Sequence, residues 1–264
     1  MARDEDREAV IRVRGLVNRF DDHAVHENLD LDVWRGEVLG VVGGSGTGKS
    51  VLLRTIIALN AAAAGSIELL GTDMINGDAA ALRNVRRRFG VLFQDGALFS
   101  SLTVAQNIEV PLKEYYDLPA VLLDEIVATK VHMVGLPPDA ANKYPAELSG
   151  GMRKRAGLAR ALALDPEVVF FDEPTAGLDP IGAAAFDRLV RDLQKALGLT
   201  VFMVTHDLDS LYAICDRIAV LAEKKVLLEG PMPAMLESTH PWVNEYFHGP
   251  RARAAAASAA AERR

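Results

Sequence analysis

The sequence predicts an α/β protein with a mixed sheet core, an N-terminal antiparallel β subdomain and an inserted helical subdomain. Three observations carry that prediction. Val38-Leu39-Gly40-Val41-Val42, a short uncharged run suited to a buried parallel strand, leads through a glycine-rich segment into helically spaced apolar residues from Val51 to Ile57. Residues 104 to 164 read as helical, punctuated by Pro111, Pro119, Pro137, Pro138 and Pro145, with no convincing strand. Beyond residue 164 strand and helix patterns alternate, which implies a parallel sheet covered by helices.

Taken in order, Ile11-Arg12-Val13 and Leu29-Asp30-Leu31-Asp32-Val33 alternate as antiparallel strands with one wet face, and Phe20 lies between them. Ser66 to Gly71 reads as a strand ending in a turn, and Phe89 to Phe93 as a buried strand. The helical insertion spans about 95 to 164. Next come a strand at Glu167 to Phe171, a helix from Pro180 to Leu197, a strand at Thr200 to Val204, a helix from Leu208 to Cys215 and a hairpin through Glu223-Lys224. A single domain is expected over 10 to 248, followed by an alanine- and arginine-rich tail, 249 to 264, whose composition fits a frayed helix and disorder equally.

Bulk properties narrow the function classes. The chain has 264 residues, half of them apolar, enough for a large core. A formal charge of −7 argues against a dedicated nucleic-acid binder. With Cys215 the only cysteine, neither an internal disulfide nor a cysteine-built metal site can form, which favours a reducing compartment. The first residues are highly charged and show no secretion signal, and no apolar run reaches the ~20 residues of a membrane span. Work at a membrane would therefore be that of a peripheral subunit.

The chemistry centres on Gly43-Gly44-Ser45-Gly46-Thr47-Gly48-Lys49-Ser50, a complete G-x-x-x-x-G-K-[ST] pattern placed between strand and helix. Its glycines let several backbone N–H groups meet a phosphate, reinforced by the positive end of the following helix. Lys49 is expected to reach the β- and γ-phosphates, and the Ser50 hydroxyl a Mg²⁺ ion. Val168-Val169-Phe170-Phe171 ends in Asp172-Glu173, two carboxylates at the sheet edge where ligands of α/β folds gather. Asp172 suits Mg²⁺, and Glu173 suits orienting or deprotonating the attacking water.

Leu148-Ser149-Gly150-Gly151-Met152 precedes a helix carrying Arg153, Lys154, Arg155 and Arg160, and resembles the signature of the ATP-binding-cassette (ABC) family. Further family elements follow the same order: Gln94 resembles the glutamine loop, Ala176-Gly177-Leu178-Asp179 the D-loop, His206 the switch histidine and Phe20 the adenine-stacking aromatic. The resemblance covers about residues 10 to 230. It implies ATP and Mg²⁺ as ligands, Gln94 and His206 as catalytic alongside Glu173, and Gln94 with Ser50 and Asp172 at the metal. It also implies a head-to-tail dimer, with Ser149, Gly150, Gly151 and Asp179 completing the partner copy's nucleotide site. Met152 departs from the usual glutamine. A thioether cannot replace an amide's hydrogen bonds, but backbone groups and Ser149 carry the main anion contacts, so activity is expected to survive.

A narrower resemblance lies in Leu92-Phe93-Gln94-Asp95-Gly96-Ala97-Leu98-Phe99, in Asp179-Pro180-Ile181 and in His240 to Gly249. With Met152, these look like the cytoplasmic ATPase of Mla-type, MCE-linked lipid transporters. That resemblance implies a peripheral subunit at the cytoplasmic face of the inner membrane, two copies under a dimeric permease, and an MCE-type lipid-binding protein in the full complex. Ala97-Leu98-Phe99 and Leu102 read equally as permease-docking surface or subdomain core. Trp242, Tyr246 and Phe247 are open to their own domain or a neighbouring subunit, the resemblance mildly favouring the neighbour. The rivals are a soluble cassette in nucleic-acid work or cytosolic assembly, and a transporter subunit for another cargo. Arg83, Arg86, Arg87 and Arg88 form the best basic cluster, a pattern more common on a solvated helix face.

Overall fold

In a computed structural model of the chain, which describes residues 7–21, 23–249 and 255, the backbone forms two compact units, Met1–Val85 with Thr200–Arg264, and Arg86–Leu199. Apart from Gly249 and Ala255, the tail lies outside the described residues.

The first unit begins with β1 (Ala9–Phe20) and β2 (His23–Trp34), paired antiparallel as their alternation predicts. With β4 (Ala64–Leu69) and β5 (Thr72–Asp73) they form a four-stranded antiparallel sheet in the order β2-β1-β4-β5. Its inward faces bury Ile11, Val13, Leu16, Leu29, Leu31 and Val33. Phe20 ends β1 and is half exposed.

The same unit holds β3 (Val38–Gly43), buried throughout, which pairs in parallel with β8 (Thr200–Val204) and with β9 (Arg217–Ala222). β10 (Lys225–Gly230) returns antiparallel to β9, so the sheet is mixed. Glu223 and Lys224 make the hairpin turn with positive φ, as the two-residue connection requires. Glu37, at the entry to β3, accepts from Arg217 Nη2 at 2.8 Å and from the Trp34 amide at 2.8 Å, fixing β3 and β9 to the end of β2. Helices α1 (Lys49–Ile56) and α2 (Ala79–Arg86) also begin in this unit.

At the end of the first unit come α7 (Leu208–Ile214), α8 (Met232–Leu236) and α9 (Pro241–His248). The sequence reading did not anticipate the last two helices. Val243 and Phe247 of α9 are buried with Val42, Leu211, Ile218, Val220 and Met235, and Trp242 and Tyr246 pack against that cluster. Of the two readings of these aromatics, packing on their own unit is what the structure displays for Phe247, while Trp242 and Tyr246 stay partly exposed.

In the second unit, β6 (Phe89–Leu92) and β7 (Val168–Asp172) pair in parallel. The helices are α3 (Val104–Tyr115), α4 (Ala120–Met133), α5 (Gly150–Ala161) and α6 (Pro180–Leu197). Short 3₁₀ turns at Pro138–Asn142 and Pro145–Glu147 follow the prolines that interrupt the helical run. A Cβ on Gly90 would meet the Ala161 carbonyl at 2.0 Å, so only glycine lets α5 lie this close to β6. Asp179 caps α6, Pro180 opens it and Gly198 closes it at φ 66°, and its bounds are those expected from the sequence.

Candidate nucleotide-binding site

In the first unit the loop from Gly43 to Gly48 leaves the end of β3 and enters α1 through Gly48, at φ 90° and with no side-chain cap. A Cβ there would lie 2.3 Å from Val25 Cγ1 and 2.6 Å from His26 Nε2, so glycine is demanded by both space and conformation. Ser45 and Gly46 are exposed at the crest. Thr47 Oγ1 donates to the Gly44 carbonyl at 2.9 Å, and Lys49 Nζ bends back to the carbonyls of Gly43 and Gly44 at 2.9 and 3.0 Å. The ammonium is thus tethered across the loop by carbonyls that it can exchange for an anion's oxygens. Ser50, in the first turn of α1, follows it.

Beneath the loop, Asn18 and His26 face inward and are fully buried. Asn18 Nδ2 donates to Thr55 Oγ1 at 3.0 Å, and Thr55 donates to the Val51 carbonyl at 2.8 Å. The Asn18 amide oxygen is left to accept from His26 Nδ1, 2.9 Å away, which places the ring proton on Nδ1. Among the described residues Nε2 has no hydrogen-bond partner. Burial lowers the His26 pKa to about 4, a backbone contact with Thr47 opposing it. The ring is therefore a neutral wedge under the phosphate loop.

His206 follows β8. The chain leaves that strand by the Thr205 amide donating to the Val41 carbonyl at 3.2 Å, and the Asp207 amide donates to Thr205 Oγ1 at 3.0 Å. The Tyr246 hydroxyl, from α9, donates to the His206 carbonyl at 3.1 Å. Trp242 stacks on Tyr246 with centroids 4.9 Å apart, and its Nε1 would lie 3.8 Å from a Cβ on Gly44. One helix therefore lies close to Gly44 and hydrogen-bonds the backbone of His206. Phe20 is 48% exposed, so it is not a core residue.

The second unit holds the remaining candidates. Gln94 is exposed just past β6. Its loop turns through Gly96 and Ala97, both at positive φ, and Arg160 donates to their carbonyls at 2.9 and 2.7 Å. Phe99 is 51% exposed, under the Arg160 guanidinium, and Ala97 is exposed beside it. Leu98 and Leu102 are partly buried, so the segment divides between exposed and packed residues. Arg88 pairs with Glu167 at 2.6 Å and Arg87 lies over the Tyr115 ring, which engages part of the basic cluster within the fold.

Asp172 is buried at the end of β7. Glu173 follows at φ 51°, a conformation that costs a non-glycine residue about 1 to 3 kcal/mol and persists only where the surroundings over-determine it. Its carbonyl accepts from Lys154 Nζ at 3.1 Å and from the Ala176 amide at 3.2 Å. Lys154 also donates to the Gln94 carbonyl. Burial lowers the Lys154 pKa, and the charges of Asp95, Glu173 and Asp172 oppose that. Ser149 caps α5 by accepting from the Met152 amide at 3.3 Å, leaving the hydroxyl proton to donate elsewhere, with Gly150 and Gly151 opening the helix. Asp179 accepts from the Gly182 amide at 2.9 Å, so within the chain it serves as the α6 cap.

Sequence reasoning missed Lys154, Tyr246 and the Asn18–His26 pair. Signals for two of them existed. Lys154 stands three and four residues before Gly157 and Leu158 on the apolar face of α5, and His26 occupies an inward position of an alternating strand. Among the described residues no helix is long and apolar enough to cross a membrane.

Residues 26–176 match the ABC transporter family. The chain is 42% identical, over 91% of its length and 69% of the relative's, to a protein from Mycobacterium leprae named a probable ribonucleotide transport ATP-binding protein. It is 40% identical to the intermembrane phospholipid transport system ATP-binding protein MlaF of Escherichia coli K12, over 86% of this chain and 84% of the relative. The dimeric, ADP- and Pi-bound cassette MJ0796 superposes with a TM-score of 0.76 at 28% identity, over 84% of this chain and 98% of that one. Clostridium perfringens cbiO1 gives 0.78 at 28% identity, over 95% and 99%. With a family match over more than half its length and relatives above 40% identity, this chain belongs to the ABC transporter family of ATP-binding cassettes.

Proposed function

We propose that this chain is the ATP-hydrolysing subunit of an Mla-type transporter, moving phospholipid between the inner membrane and periplasmic MCE proteins through a dimeric permease. The observation that carries this reading is similarity along nearly the whole of both chains to proteins named for intermembrane phospholipid transport: 38% with MlaF of Haemophilus influenzae over 91% of this chain and 90% of the relative. The chain would act as a peripheral subunit at the cytoplasmic face, bound to the permease.

Each candidate residue has a task in this reading. The Gly43–Gly48 cradle and Lys49 hold the triphosphate, and Phe20 stacks on adenine. Mg²⁺ in nucleotide sites is bound by one or two carboxylates together with phosphate oxygens and water. By the family resemblance Ser50, Gln94 and Asp172 would hold that ion through hydroxyl, amide and carboxylate oxygens, and it would neutralise charge on the phosphates. Glu173 accepts the proton of the attacking water, a task worth about 10² to 10⁴ in rate. His206 donates to the γ-phosphate. The Ser149 hydroxyl and the α5 N-terminus, through Gly150 and Gly151, face the nucleotide of a second copy, with Asp179 at the seam between copies.

A second reading is favoured by the mycobacterial relatives at 41 to 42% identity, whose name refers to ribonucleotide transport. Purification of the tagged chain from native membranes, with mass spectrometry of co-purifying proteins and small molecules, separates the two. Phospholipid, a permease and an MCE-type protein are expected. Ribonucleotide other than ATP or ADP, without lipid, would overturn the phospholipid reading.

A further inference from the structure

Lys154 lies one turn into the signature helix, yet its side chain points inward, 5% exposed. A buried ammonium carries a heavy desolvation penalty and is tolerated only when it is paired and hydrogen-bonded. Here its donors reach two backbone carbonyls of separate loops, those of Gln94 and Glu173. The carboxylates of Asp95, Glu173 and Asp172 supply the opposing charge. Glu173 is also the residue held in the left-handed region at φ 51°, and the bond to its carbonyl spans from α5 to a loop that its own backbone does not favour.

We propose that Lys154 is a positioning residue for hydrolysis: one buried cation that fixes the glutamine loop and the Glu173 backbone to the first turn of the signature helix. The helix is rigid between Ser149 and Lys154, so displacement of the Ser149-Gly150-Gly151 tip is carried by Lys154 to the general base and to Gln94. Seating of the signature on a second copy's nucleotide is then linked, within each chain, to the geometry of that chain's own base. Arg160, one and a half turns further on, holds the Gly96 and Ala97 carbonyls of the same loop and extends the attachment along α5.

The proposal rests on the ATPase reading, and the test separates the two. Turnover and ATP affinity are measured on the full chain for wild type, Glu173→Gln, Lys154→Met, Lys154→Arg and Lys154→Gln, with thermal unfolding of each. Lys154→Met keeps the length and removes charge and donors; it is expected to lower kcat about 100-fold, the scale of an ångström-level misplacement, while ATP affinity changes less than about threefold. Lys154→Arg is expected to recover about tenfold of that loss, because it restores charge and donors. Turnover of Lys154→Met within about twofold of wild type, equal losses in kcat and affinity, or Arg no better than Met would each overturn the proposal. If Lys154→Met does not fold, Lys154→Gln is judged by the same criteria, and failure of both to fold makes Lys154 a structural residue, which also overturns it. If wild type binds no ATP, or Glu173→Gln hydrolyses as wild type does, the ATPase reading itself fails.

Discussion

The wedge beneath the phosphate loop gives the protein a measurable acid sensitivity. At pH 8 the His26 ring is neutral whether the chain is folded or not. As pH falls through 6.5 the unfolded chain takes up a proton, whereas the folded ring resists until about pH 4 because burial disfavours its charged form. Unfolding binds the proton, so stability is full above pH 6.5 and is lost as pH falls from there towards 4. From the two pKa values the loss is about 2 kcal/mol by pH 5 and levels off near about 3 kcal/mol below pH 4. His26→Gln keeps a donor for the Asn18 amide oxygen and cannot titrate in this range. Urea unfolding of both proteins from pH 8 to pH 5 isolates the effect, since other groups cancel in the difference. Relative to wild type, His26→Gln is expected to gain about 2 kcal/mol over that interval. A difference between the two proteins that is the same at both pH values would refute the reasoning.

Three further outcomes follow from the site. Lys49→Ala removes the cation tethered across the loop and is expected to weaken ATP binding about 10- to 100-fold, the worth of a charge-assisted hydrogen bond; titration with a fluorescent ATP analogue reads this directly. His206→Ala is expected to reduce turnover more than nucleotide affinity, and equal losses would argue for a structural role. Tyr246→Phe keeps the stacking on Trp242 but loses the donor to the His206 carbonyl, so steady-state kinetics should show turnover reduced about 2- to 10-fold with affinity unchanged.

Local chemistry announced most of the fold. The helical pattern from Pro180 to Leu197 marked α6, the uncharged runs marked β3 and β8, and the Glu223-Lys224 connection marked the β9–β10 hairpin. Helices α8 and α9 escaped because each is short and opens on proline-bearing sequence that reads as loop, and their burial depends on residues far along the chain, Val42 and Leu211 among them. Candidates for the site could be read where a motif orders the residues, at Gly43 to Ser50, Asp172-Glu173 and Ser149 to Gly151. None could be read where a backbone carbonyl is the partner. Neither the Lys154 bonds to Gln94 and Glu173 nor the Tyr246 bond to His206 involves a side-chain acceptor, so no pattern of residue types records them.

In the dimer proposed above, one chain supplies half of each hydrolytic site and its copy supplies the rest. Sedimentation of Glu173→Gln with ATP tests this most directly, because that variant retains the groups proposed to hold nucleotide but lacks the proposed base. The account predicts a species of twice the 28.5 kDa chain mass with ATP, and a single chain with ADP. A monomer at saturating ATP, or a dimer indifferent to which nucleotide is present, would contradict it.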